Sequence, residues 1–144
     1  MKNKIILSCL CLFSAFTINA QNWLTDIGVA EKIAIKENKK IVMVFQGSDW
    51  CAPCIKLDKY IWSTEEFKSY SNDNFVMVKV DFPRRKKNKL DKKQEEYNGN
   101  LAEKYNPQGI FPMVVVIDSN KKVLGRTGYK KMTPSEYIKL LSSF

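Results

Sequence analysis

Ile41-Val42-Met43-Val44-Phe45-Gln46-Gly47-Ser48-Asp49-Trp50-Cys51-Ala52-Pro53-Cys54 is the stretch on which the reading of the chain turns. Ile41 to Phe45 is an unbroken apolar run with β-branched residues, the pattern of a strand buried on both faces. Gln46 to Asp49 reads as a turn. Trp50 to Cys54 then opens a helix reaching Trp62, and Pro53 suits its first turn, where a missing N–H costs little. The two cysteines therefore sit where a buried strand hands over to a helix. The unpaired N–H groups and positive dipole end there favour a thiolate over a thiol, so the reduced Cys51 is expected to ionise below the free value of about 8.5. A thiolate at Cys51 attacks a partner disulfide, and Cys54, one turn further in, resolves the mixed disulfide.

Outward from that core, further elements follow. Trp23, Ile27, Ala30 and Ala34 recur at helical spacing, with Asp26 as a cap and Asn38-Lys39-Lys40 at the end. Ser63 to Phe67 starts a further helix. Phe75 to Phe82 is a second buried strand, and Leu90 to Tyr105 is helical with a kink or break at Asn98-Gly99. Met113 to Ile117 is a third strand. Asp118 to Lys121 turns into a short fourth strand, Lys122 to Arg126. Thr133-Pro134-Ser135-Glu136 is a capping box for a last helix with Tyr137, Leu141 and Phe144 on one face. Helices between the first three strands and a hairpin at the end predict an α/β domain with a mixed central sheet flanked by helices.

Composition removes competing chemistries. The 144 residues include no His, so a Ser-His or Cys-His pair, a His-containing zinc site and C-x-x-C-H haem attachment are excluded within the chain. At 44% hydrophobic and 27% charged, the chain has an ordinary globular composition. Residues 1–20 read as a signal peptide: Lys2 and Lys4, then the apolar run Ile5 to Phe16, then Ala20 at the expected cut. Leu7-Ser8-Cys9 loosely resembles a lipoprotein signal, but almost no apolar stretch precedes it. Residues 21–144 are the expected folded domain. Cleavage removes Cys9 and Cys11 and takes the formal charge from +9 to +7 through loss of Lys2 and Lys4. Two remaining cysteines are no disulfide framework and no complete zinc site, so no metal is expected, and the pair reads as redox chemistry with no cofactor beyond a Cys51–Cys54 disulfide.

Trp50-Cys51-Ala52-Pro53-Cys54 resembles the thioredoxin active site, with Ala52 where thioredoxins usually carry Gly. Gly109-Ile110-Phe111-Pro112 resembles the segment before that family's cis-proline, and Gly125 and Gly128 resemble the glycines after its last strands. The resemblance covers essentially Leu24 to Phe144 and is nearest to exported single-domain thioredoxin-like proteins. It implies a thioredoxin-like fold, Cys51 as nucleophile, Cys54 as resolving thiol, and a cis Pro112 beside them. Trp50, Ala52, Pro53, Phe111 and Pro112 are the expected substrate contacts, the backbone of Phe111 pairing with the substrate's extended chain. The implied function is an exported, periplasmic thiol–disulfide oxidoreductase, a monomer that reduces or isomerises disulfides in other exported proteins and is recycled by a membrane electron donor. Pro53 directly before the second cysteine, as in reducing thioredoxins, favours a reductant. The alternative is a non-catalytic thioredoxin-fold binding module.

Two departures stand out. Thioredoxins carry a buried Asp six residues before the first cysteine and a lysine that faces it. By count these positions are Phe45 and Met77, both apolar, as expected of a buried ion pair exchanged as a unit. Asp49, Asp58 or water is left to take the proton from Cys54, although each Asp also reads as a solvated surface acid. Arg84 to Lys93 holds seven basic residues in ten. It lacks interleaved aromatics, so no nucleic acid is expected, and it reads as a solvated, mobile basic loop.

Overall fold

A computed structural model describes residues 21–144, and the expected signal peptide lies outside the described residues. Five strands form one mixed sheet in the order β1-β3-β2-β4-β5. They are β1 (Trp23–Leu24), β2 (Lys40–Gln46), β3 (Phe75–Asp81), β4 (Met113–Ile117) and β5 (Val123–Thr127). β1 and β2 run parallel to β3, whereas β4 is antiparallel to both β2 and β5. The helices are α1 (Ile27–Glu37), α2 (Ala52–Leu57), α3 (Glu65–Asn74), α4 (Lys92–Tyr105) and α5 (Pro134–Ser142). The expected α/β architecture with a mixed sheet is the observed one.

Strand alternation divides the core into two layers. On one face Val42, Val44, Phe75, Met77, Val114 and Val116 pack against Leu57, Ile61, Trp62, Phe67, Tyr137 and Leu141. On the other Ile41, Met43, Phe45, Val78, Val80, Val115 and Ile117 meet Ala30, Ala34, Leu101 and Tyr105. Trp62 anchors the first layer edge-on to Phe67 and Tyr137, with centroids 4.6 and 5.3 Å away. The layers bury β2 on both faces, which is why it reads as a continuous apolar run.

Four elements differ from the sequence reading. Trp23 lies in β1, paired with Met77, and the first helix begins only at Ile27, where Asp26 accepts the Gly28 and Val29 N–H groups. The helical spacing at Trp23 is a coincidence of burial: its indole is edge-on to Trp62, in the other layer from Ala30 and Ala34. α4 is continuous through Asn98-Gly99, because buried Asn98 donates its Nδ2 to the Asp81 carbonyl at 2.8 Å and ties the helix to the sheet. The helix after the cysteines widens into a π-helical stretch at Asp58–Trp62, whose end is held by the Ser63 N–H to the Asp58 carbonyl. The Arg84 to Lys93 stretch is not a free loop but carries a 3₁₀ turn at Lys86–Asn88.

Candidate active site

Cys51 and Cys54 form a disulfide with their Cα atoms 5.2 Å apart. Cys51 is the N-cap of α2, in extended backbone geometry, and its Sγ accepts the Cys54 N–H at 3.3 Å. Cys51 is 5% exposed and Cys54 2%. The preceding turn is closed by the Trp50 and Cys51 N–H groups donating to the Gly47 carbonyl. Local sequence therefore sets this geometry: a strand end, a tight turn over Gly47, and a helix start carrying Pro53. Ala52 and Pro53 are exposed on the outer surface of that start.

Phe111 and Pro112 lie just before β4, and Phe111 reaches Trp50 beside the cysteine pair. The Phe111–Pro112 peptide is cis. The approach is fixed by buried Asn106, whose Nδ2 donates to the Ile110 carbonyl at 2.8 Å while its Oδ1 accepts the Ile110 N–H at 3.1 Å. Behind Pro112, a Cβ on Gly128 would lie 3.1 Å from the Pro112 carbonyl oxygen, so the two backbones are in close contact. Tyr137 donates its O–H to the Gly128 carbonyl at 2.8 Å, and burial pushes its phenol pKa up, keeping it a donor. Sequence reasoning did not single out Asn106 or Tyr137 for the site, and no local signal marks either, since both act across loops.

Trp50 is the wall of the site. Its Nε1–H donates to the Phe82 carbonyl at 2.7 Å. Its ring meets Phe111 edge-on at 5.7 Å, and Phe111 meets Phe82 at 5.4 Å. The Arg84 guanidinium lies 3.7 Å over the centroid of the indole. A Cβ on Gly47 would fall inside the indole, within 2.6 Å of Cζ2 and closer still to Cε2 and Nε1. Gly47 is therefore required by the side chain that covers it.

Asp49 is more than a solvated surface acid. Its carboxylate accepts the Arg84 and Arg85 N–H groups, each at 3.0 Å, and the Asn88 Nδ2 at 2.8 Å. Those bonds, led by the Arg84 N–H, hold its pKa below the ordinary Asp range. They dock the basic stretch beside the cysteines, which corrects the mobile-loop reading. A sequence separation of 35 residues hid the anchor.

The count that paired Phe45 with Met77 is also corrected. In the parallel register Val42 pairs with Met77 and Phe45 with Val80, so Phe45 and Met77 point to opposite faces. Neither lies where an ion pair with the other was ever open to it. The side chains that do approach Cys54 from the sheet are Gln46, which is buried, and Lys79. With Ser48, Ile55 and Asp58 they line a cavity of about 130 Å³ against Cys54. Asp58 thus borders Cys54, whereas Asp49 is engaged with the basic stretch.

The site thus joins an oxidised cysteine pair at a helix start to an aromatic wall of Trp50, Phe111 and Phe82, with the cis Phe111–Pro112 bond next to that wall. The comparisons agree with the geometry. Residues 22–119 match the family model described as thioredoxin-like. The chain is 36% identical over 108 residues, 75% of its length, to the disulfide bond reductase DsbH of Chlamydia pneumoniae, and spans 63% of that relative's length. It is similar to a solved structure of a DsbH oxidoreductase at TM-score 0.77 and 32% identity, covering 92% of this chain and 90% of that one. A thioredoxin from Thermus thermophilus shares the fold at TM-score 0.61 and 16% identity, over 85% of each chain.

Proposed function

The chain belongs to the thioredoxin-like family, and on that premise we propose that it is a thiol–disulfide oxidoreductase that reduces disulfides in exported proteins. The observation that carries this reading is the Cys51–Cys54 disulfide, with Cys51 Sγ receiving the Cys54 N–H at the start of α2. In the reduced protein the Cys51 thiolate attacks a substrate disulfide, forming a mixed disulfide and releasing one substrate thiolate. The Cys54 thiol loses its proton and attacks Cys51 Sγ, releasing the second substrate thiolate and closing Cys51–Cys54. Two electrons pass to the substrate, and a dithiol donor, in our reading a membrane protein, returns the pair to the reduced state.

The surroundings support named roles. In this reading Phe111, edge-on to Trp50, and Pro112 after its cis bond align the substrate chain, while Trp50 with Ala52 and Pro53 forms the outer surface it crosses. The Cys54 proton leaves toward the polar cavity lined by Gln46, Asp58 and Lys79. Pro53 before the second cysteine, together with a relative described as a disulfide bond reductase, favours reduction over oxidation. Residues 1–20 are, in this reading, a cleaved signal that delivers the chain to the periplasm.

The test is the reduction potential of the mature protein, read by thiol alkylation in glutathione or dithiothreitol buffers. A potential near or below about −240 mV supports a reductant, and one above about −180 mV refutes that direction. Cys51→Ser should abolish disulfide reduction, and Cys54→Ser should accumulate mixed disulfides. A pair that cycles in none of these buffers would leave a binding module instead.

A further inference from the structure

Arg84, Arg85, Lys86, Lys87, Lys89, Lys92 and Lys93 are all exposed, and none takes part in an ion pair among the described residues. Yet the backbone that carries the first five is fixed. Asp49 accepts the backbone N–H groups of Arg84 and Arg85 and the side-chain Nδ2 of Asn88, and the Asn88 backbone N–H closes the 3₁₀ turn on the Arg85 carbonyl at 2.9 Å. The anchor is the residue just before Trp50, and Arg84 lies on the Trp50 ring. The structure therefore holds seven cations around the Asp49 carboxylate, a net positive stretch beside Cys51, at the cost of self-repulsion that a scattered arrangement would avoid.

This rim borders an apolar groove of about 430 Å³ whose walls are Trp50, Phe82, Pro83, Leu90 and Phe111. That is room for one large side chain. Two acids also line it. Asp81 accepts the Ser48 N–H at 2.9 Å and the Phe82 N–H at 3.0 Å, and Glu95 lies on the edge, so these two carboxylates face a rim of seven cations. Trp50 and Phe111 are the sequence neighbours of Cys51 and Pro112, so a chain crossing the cysteines passes the groove.

We propose that this groove and its basic rim select the substrate segment: an extended polypeptide with a large apolar side chain close to its cysteine, flanked by Asp or Glu. The apolar side chain fills the groove, and the acids meet Arg85, Lys86, Lys87 and Lys89. The inference rests on the oxidoreductase reading and adds the substrate class to it. Opposite charge raises the encounter rate, and a basic segment is repelled by the same field, so the effect is on specificity.

The experiment compares three fluorogenic disulfide peptides that share one Phe near the cysteine and carry acidic, neutral or basic flanks. A small uncharged disulfide is run alongside. The expected kcat/KM ratio of acidic to basic peptide is about tenfold at low ionic strength. It should fall toward unity at 1 M salt, where the screening length is about 3 Å. Lys86→Glu/Lys87→Glu/Lys89→Glu should remove or invert the ratio. A variant that merely reacts slowly moves both peptides together and leaves the ratio intact, which would count against the rim. Replacing the peptide Phe by Ala should lower kcat/KM whatever the flanks. Equal rates for the three peptides, with the small disulfide still reduced, overturn this inference alone. Reduction of neither peptides nor small disulfide overturns the oxidoreductase reading with it. Equal peptide rates with binding to phosphatidylglycerol vesicles that the triple variant loses would assign the rim to a membrane surface instead.

Discussion

Gly47→Ala should damage the site through one side chain, Trp50. The new methyl would lie within 2.6 Å of Trp50 Cζ2, whereas carbon atoms settle at about 3.5–4.0 Å. The indole must retreat by about 1 Å. That stretches the 2.7 Å bond from Nε1 to the Phe82 carbonyl past hydrogen-bonding range. Losing the bond costs about 1 kcal/mol. The weakened edge contact with Phe111 adds about 0.5–1.5 kcal/mol and the Arg84 contact about 0.5–1 kcal/mol. Against this, Ala in place of Gly restricts the unfolded chain and returns about 0.4–1 kcal/mol. Net destabilisation of about 2 kcal/mol is expected, visible as a urea midpoint lowered by about 1 M. The decisive measurement is a double-mutant cycle in urea. In a Trp50→Ala background the clash is gone, and Gly47→Ala should become neutral or stabilising. An equal cost in both backgrounds would refute the reasoning, because the methyl would then be meeting something other than the indole.

Three further outcomes are expected. The Asp49 pKa is lowered on folding, so its contribution to stability is present above the unfolded value of about 3.9 and is lost as pH falls through the lower folded value. The Arg84 and Arg85 amide shifts should report that titration by NMR below the ordinary value of 3.8, and a midpoint at or above it would argue against the clamp. Tyr137→Phe removes the bond to the Gly128 carbonyl and should cost about 1–2 kcal/mol in chemical denaturation, with an unchanged value placing that bond outside the energetics. Phe45→Asp/Met77→Lys should not rebuild an ion pair, since the two side chains enter opposite layers. Each buried unpaired charge costs several kcal/mol. The double variant should therefore be no more stable by circular dichroism than the singles predict, and any rescue would show that the two residues meet.

Much of the fold was legible because its signals are local. β2 and β4 carry continuous apolar runs and β3 one broken at Lys79, the Thr133 capping box starts α5, and a hairpin joins β4 to β5. What was not legible depended on partners distant in sequence. The spacing of Trp23 fitted a helix, but its pairing with Met77 in β1 is a contact across more than fifty residues. Gly99 looked like a break until Asn98 found the Asp81 carbonyl.

The same division runs through the site. Sequence alone determined where the cysteine pair sits: two cysteines three apart at a strand-to-helix junction, Pro53 inside the first turn, and no histidine in the chain. These depend on covalent order and on the backbone preferences of a few adjacent residues, which any reading of the chain can follow. Tertiary structure alone decided what surrounds the cysteines. Parallel register sent Phe45 and Met77 to opposite faces and put Gln46 and Lys79 beside Cys54, because side chains alternate with period two and a count along one strand says nothing about its neighbour's phase. Asp49 bound a run of cations that, by composition, belonged to solvent, because an unpaired carboxylate and three N–H donors from a distant loop met only once the sheet had brought the ends of β2 and β3 side by side.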